Sequence, residues 1–174
     1  MIEFANRVFH PEVTAVDVSF GDVDDIAPLK NLRWLRELNL RRTRVRDLSP
    51  LRNCGMLEYL VLDNTDVVDL QPLRELRCLT FLSAAGTDVL DIADVPESLE
   101  QLSLSQTKVS DIARVRSLTS LRRINLDYAP VRDLRPLSDV PTLKYVSLLQ
   151  AQAGIPEDLE LRGVEVNYRS WPAW

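Results

Sequence analysis

The side chains best suited to chemistry are few in this chain, and none stands in a reactive pattern. The one histidine, His10, has Pro11 beside it and no repeated partner with which to form a nucleophile–base pair, so a catalytic triad is not expected. Cys54 and Cys78 lie 24 residues apart with no CxxC and no histidine near them, which leaves no metal-ligand set. Both read as reduced residues in or near the core. The acids Asp25, Asp47, Asp69, Asp91, Asp111 and Asp133 form a ladder. Each precedes an apolar residue, and in four of the six a proline stands three positions on (Pro28, Pro50, Pro72, Pro136). An aspartate so placed accepts from the open N–H groups of a short helical turn, and proline fits a first turn because its missing donor is harmless there. The ladder is therefore read as caps, not as general acids. Glycine-rich phosphate loops, the GxSxG elbow and the HExxH zinc helix are all missing. No catalytic residue, cofactor or metal is expected, and the chain is not read as an enzyme.

The acids recur because whole segments recur. From Val23, the segments VDDIAPLKNLRWLRELNLRRTR, VRDLSPLRNCGMLEYLVLDNTD and VVDLQPLRELRCLTFLSAAGTD follow at a strict spacing of 22 residues. VLDIADVPESLEQLSLSQTK has 20 residues, and the next two segments return to 22. Upstream, Val13, Val16, Val18 and Gly21 occupy the positions of Leu35, Leu38, Leu40 and Thr43, which adds half a unit.

Each unit carries L-x-x-L-x-L-x-x-T followed by V-x-D-[LI]-x-P-L. In register over residues 13–152, this pattern resembles the leucine-rich-repeat family, most closely its internalin and SDS22-like subclass. The resemblance implies an α/β leucine-rich-repeat solenoid: a right-handed arc with a parallel concave sheet and short helical or 3-10 turns on the convex side. A single domain is expected, with an N-terminal cap over 1–12, a half coil and six repeats over 13–152, and a C-terminal cap over 153–174. In that cap Val164 and Val166 alternate as in a strand. Tyr168, Trp171 and Trp174 are expected to cover the open core, a binding patch being the other reading. The family's usual Asn is replaced by Thr43, Thr65, Thr87 and Thr107 and then by Ala129 and Ala151. Because alanine lacks the side-chain bond between turns, looser turns are expected in the last two coils.

Strand alternation sends Leu38 and Leu40 inward and Glu37, Asn39 and Arg41 outward onto the concave sheet. Equivalent residues then form rows, the first of which reads Ala15, Glu37, Tyr59, Phe81, Gln101, Arg123 and Tyr145. Tyr59, Val61 and Phe81 are expected to be exposed together, an arrangement suited to anchoring a partner. The expected contacts are Tyr59, Val61, Phe81, Arg123, Tyr145, Arg41, Asp63 and Tyr128. The basic corner at Arg41, Arg42 and Arg44, followed by Asp63, Asp66 and Asp88, would orient a charged partner. Lys30, Arg52, Arg74 and Arg116 recur on the convex side and read as a solvated face.

The 174 residues, 45% hydrophobic and 27% charged, suit one folded domain. A net charge of -5 disfavours sequence-independent nucleic-acid binding and favours a basic or polar protein partner. With neither a signal-peptide pattern nor an apolar run long enough to span a bilayer, no membrane association and a cytoplasmic location are expected. The expectation is a monomeric protein-binding module, self-association being an alternative use of the apolar group. In its most concrete form it is an intracellular inhibitor, a bacterial immunity protein that neutralises a toxin. An effector or adaptor delivered to a host cell and a structural scaffold subunit are the rival readings.

Overall fold

The computed structural model describes residues 1–148 and 156–167. Ten three-residue strands alternate with short turns. Strands β1 (Ile2–Phe4) and β2 (Arg7–Phe9) form an antiparallel hairpin, and its aromatic residues Phe4 and Phe9 join the N-terminal end of the core. The other eight are β3 (Ala15–Asp17), β4 (Glu37–Asn39), β5 (Tyr59–Val61), β6 (Phe81–Ser83), β7 (Gln101–Ser103), β8 (Arg123–Asn125), β9 (Tyr145–Ser147) and β10 (Glu165–Asn167). They form one parallel sheet in chain order. The pairing follows the repeat: Glu37 faces Tyr59 and Tyr59 faces Phe81. The next partner, Gln101, lies within the 20-residue segment, and the register is undisturbed.

The inward positions fill with aliphatic side chains: Leu38, Leu60, Leu82, Leu102, Ile124 and Val146 stack as one column and are essentially buried. Each coil is too thin to bury its own leucines, so every interior coil depends on both neighbours. Val164 is buried ahead of β10, which pairs with β9, as the alternating valines predicted. The proposed cover by Tyr168, Trp171 and Trp174 lies outside the described residues.

On the convex side, 3-10 turns span Ala27–Asn31, Ser49–Asn53, Gln71–Leu73, Ala113–Ser117 and Arg135–Asp139, with Pro28, Pro50, Pro72 and Pro136 in the first turns. The 20-residue segment has only a turn at 93–94 in place of such a helix. Its two missing residues are thus removed from the convex side, and the sheet keeps its ladder.

All six ladder aspartates hold the turn that follows. Asp25, Asp47, Asp69, Asp91, Asp111 and Asp133 each accept the backbone N–H two residues on, at 2.7–3.0 Å. These are Asx turns, five of them leading into the 3-10 turns and that of Asp91 into the turn at 93–94. Replacing Asp69 with alanine is expected to cost about 1 kcal/mol in urea denaturation. A neutral substitution would remove the ladder from the account of stability.

The ladder also has a pH signature. The side chain and then the backbone N–H of Arg135 donate to Asp133 and hold its carboxyl down from the ordinary 3.8 to about 2. A depressed carboxyl contributes stability above its unfolded value, and that contribution is lost as pH falls through the folded value. Asp133 should therefore titrate near pH 2 by carboxyl-carbon NMR, and Asp133→Asn should remove part of the acid loss of melting temperature between about pH 4 and pH 2. Titration near 3.8 would show the contact to be absent in solution.

The buried threonines depart from expectation in one respect. Thr43, Thr65, Thr87 and Thr107 each donate Oγ1 to the carbonyl three residues back, at 2.7 Å, so they lock their own turn and not a neighbour's. Ala129 lacks that bond but keeps the backbone one, its N–H reaching the Leu126 carbonyl at 3.1 Å. The turn at Ala129 therefore closes through the same backbone bond as those at Thr43 and Thr107. Ala151 lies outside the described residues.

Candidate functional site

The concave sheet gathers the outward rows, but the middle row, which runs Asp17, Asn39, Val61, Ser83, Ser103, Asn125 and Ser147, is closed from Val61 onward. Ser83, Ser103, Asn125 and Ser147 are buried. Neighbouring strands run about 4.8 Å apart, so these short side chains lie deep between their neighbours in adjacent coils. The surface a partner meets is therefore made mainly by the first row and by the row that starts Ser19, Arg41 and Asp63.

Tyr59 and Phe81 pair as the row predicts, with ring centroids 4.0 Å apart and planes 8° from parallel. The expected joint exposure of Tyr59, Val61 and Phe81 is corrected: Phe81 is 6% and Val61 9% exposed, and only Tyr59 is half open. Stacking presses Phe81 onto its neighbours, so it supports the outer ring from behind. A depression of about 160 Å³ opens there, lined by Asn39, Arg41, Tyr59, Val61, Asp63, Phe81 and Ser83.

Asp63 is also placed differently from the expectation. Its carboxylate accepts the Ser83 hydroxyl at 2.5 Å and the Ala85 N–H at 3.1 Å, so it ties its coil to the next. Asp127 repeats the device three coils on: it is 3% exposed and accepts the Ser147 hydroxyl at 2.8 Å. Arg123 is exposed, and Tyr145 is half-buried with its phenol oxygen accepting from Asn167 Nδ2 at 2.6 Å.

Along the loop edge, Phe20, Arg42, Asn64, Gly86, Gln106 and Tyr128 share a left-handed backbone, with φ between 54° and 67°. At each position up to Gln106, the N–H reaches a carbonyl of the next coil at 2.8 Å, which extends the ladder beyond the strands. The turn aims Phe20 and Tyr128 outward, 65% and 47% exposed. Tyr128 was expected at this edge. Phe20 was not, although its alignment with Arg42 and Tyr128 was the available signal.

The basic corner separates into parts. Arg44 pairs with Asp22, and the Arg42 guanidinium lies 5.3 Å from the Phe20 ring centroid. Arg41 is exposed, and among the described residues no ion pair holds it. Asp88 pairs with Lys108 at 2.8 Å, so much of the charge at this edge is matched between coils. The convex row Lys30, Arg52, Arg74 and Arg116 is exposed, with Arg116 bonded to Asp139 at 2.8 Å.

Cys54 is fully buried, and burial pushes its thiol up to about 11, which keeps it protonated at neutral pH. Cys78, expected in or near the core, is exposed on the flank of its coil. Among the described residues no group of three or more His, Cys, Asp and Glu is arranged to hold a metal ion. No helix there is long and apolar enough to cross a membrane.

No family model and no curated protein sequence matches the chain. Solved structures do. An internalin C2 of Listeria monocytogenes matches with a TM-score of 0.82 at 24% identity, over 89% of this chain and 70% of that one. An internalin of the same organism, inlF, matches at 0.64 and 23% identity, over 83% of this chain and 49% of that one. A leucine-rich-repeat protein of Leptospira interrogans matches at 0.65 and 19% identity, over 81% of this chain and 39% of that one. This chain thus spans about half or less of two of these proteins. The likeness establishes the fold, an internalin-like leucine-rich-repeat solenoid.

Proposed function

We propose that the chain is a non-catalytic module that holds a protein partner against its concave sheet. The observation that carries this reading is the Tyr59 ring, half open and stacked on a buried Phe81, in a sheet whose rim also presents Arg41 and Arg123. Rigid aromatics and arginines give large contact area for little loss of side-chain freedom, which is why they dominate interface energetics. Tyr59, Arg41, Arg123, Tyr145 and Tyr128 make the contacts, while Val61 and Phe81 fix the ring and Asp63 fixes the coil beneath it. The net charge of -5 suits a basic protein surface. In its specific form the reading is a monomeric cytoplasmic inhibitor, an immunity protein that covers a toxin's active site, with neither nucleic acid nor membrane as partner.

The test is capture of the partner from source cells with the intact chain, followed by titration calorimetry of the retained protein against wild type and Tyr59→Ala. The expected loss is about thirtyfold in affinity, on the order of 2 kcal/mol. Unchanged affinity in a folded Tyr59→Ala protein would move the interface off the concave face.

A further inference from the structure

Glu37, Tyr59 and Phe81 are neighbours in one row, on β4, β5 and β6. Stacking along that row covers one face of the Tyr59 ring with Phe81. On the opposite side of Tyr59 in the row, one strand away, stands Glu37, whose side chain is exposed and enters no ion pair among the described residues. The face of an aromatic ring carries the negative end of its quadrupole. A π face on one side and a carboxylate on the other therefore bound a slot of negative potential. Asp63 adds a second carboxylate close by, on the wall of the depression of about 160 Å³ that the Tyr59 ring also lines. Burial first, then the charges of Asp63 and Glu37, raise the Tyr59 phenol above its ordinary value, so both carboxylates are felt at the ring. The opposing charge is Arg41, which lines the depression but makes no ion pair with Glu37 or Asp63.

We infer that the slot between the Tyr59 ring and Glu37 receives one cationic side chain, lysine or arginine, from the protein partner. The inference rests on the concave-binding reading above and names the chemistry of its contact. A cation within about 6 Å of a ring centroid is attracted by the quadrupole. A guanidinium can also lie flat on the ring while donating to a carboxylate in its plane.

The test uses the full chain and two probes, methylguanidinium and n-butylammonium, titrated against sodium at equal ionic strength and followed by NMR. Saturable shifts at the Tyr59 ring and the Glu37 side chain are expected, with Glu37→Gln weakening the apparent affinity about two- to fivefold. Tyr59→Leu should abolish the response at Glu37. Shifts no larger than those from sodium, or equal in Glu37→Gln, overturn the slot. The captured partner separates this failure from that of the broader reading. Affinity lost in both Tyr59→Ala and Glu37→Gln supports the slot. Affinity lost in Tyr59→Ala alone overturns the slot and leaves concave binding standing, and affinity lost in neither overturns both.

Discussion

Phe81→Ala is expected to lower stability by about 3 kcal/mol, while Tyr59→Ala, one strand away in the same row, costs only about 1 kcal/mol. The two rings stack at 4.0 Å, but their surroundings differ: Phe81 is buried and Tyr59 is half open. Removing Phe81 leaves a cavity beneath the concave rim and strips one face of Tyr59, so the transfer and cavity costs add. Removing Tyr59 mainly gives up the stacking, because much of its surface was already wet. Urea denaturation of the two single variants and the double variant measures both the difference and the coupling, the latter about 0.5–1.5 kcal/mol. Equal losses for the two single variants would contradict the burial of Phe81. For binding studies, Tyr59 is accordingly the residue to change, since Phe81 confounds contact with folding.

Asp127→Ala is expected to cost about 2–3 kcal/mol, well above an average surface change. The Asp127 carboxylate is buried and accepts from Ser147 Oγ, which is itself fully buried. Alanine leaves that hydroxyl shut away from water without its acceptor. Asp127→Asn keeps an oxygen in place and should retain most of the stability, whereas Ser147→Ala removes only the hydroxyl's bond and should lie between the two. The equivalent pair, Asp63 and Ser83, is nearer to solvent and should cost about 1 kcal/mol when Asp63 becomes alanine. A neutral Asp127→Ala would show that the carboxylate bond is not a tie between coils.

The fold was legible because a solenoid writes the same constraint many times. Leu38, Leu60 and Leu82 must each point inward for the next coil to stack, so the 22-residue spacing exposes the strand, its register and its buried face together. The Asp ladder was legible for the same reason, and all six acids hold their turns as their placement implied. What alternation does not convey is depth on the concave side. It marked Val61 and Phe81 as outward, which is true of their direction, but burial there depends on the size of the neighbours in adjacent coils. Ser83 and Ser103 are too short to reach past their neighbours in adjacent coils and are buried although they point outward. Asp63 misled for a related reason, because its bonds to Ser83 and Ala85 cross to the next coil and no motif within one unit displays them. Cys78 was misread since its offset lies on the flank of the coil, next to the inward Leu79.

The central claim is that the partner sits on the concave face, and a comparison of charge reversals on opposite faces tests it most directly. Wild type, Arg123→Glu on the concave side and Arg116→Glu on the convex side are each used to capture proteins from source cells, with the retained species quantified by mass spectrometry after all three are shown to melt alike. The account predicts one protein held by wild type and by Arg116→Glu but depleted about tenfold or more with Arg123→Glu. Retention by Arg123→Glu together with loss in Arg116→Glu would contradict it and place the interface on the convex turns.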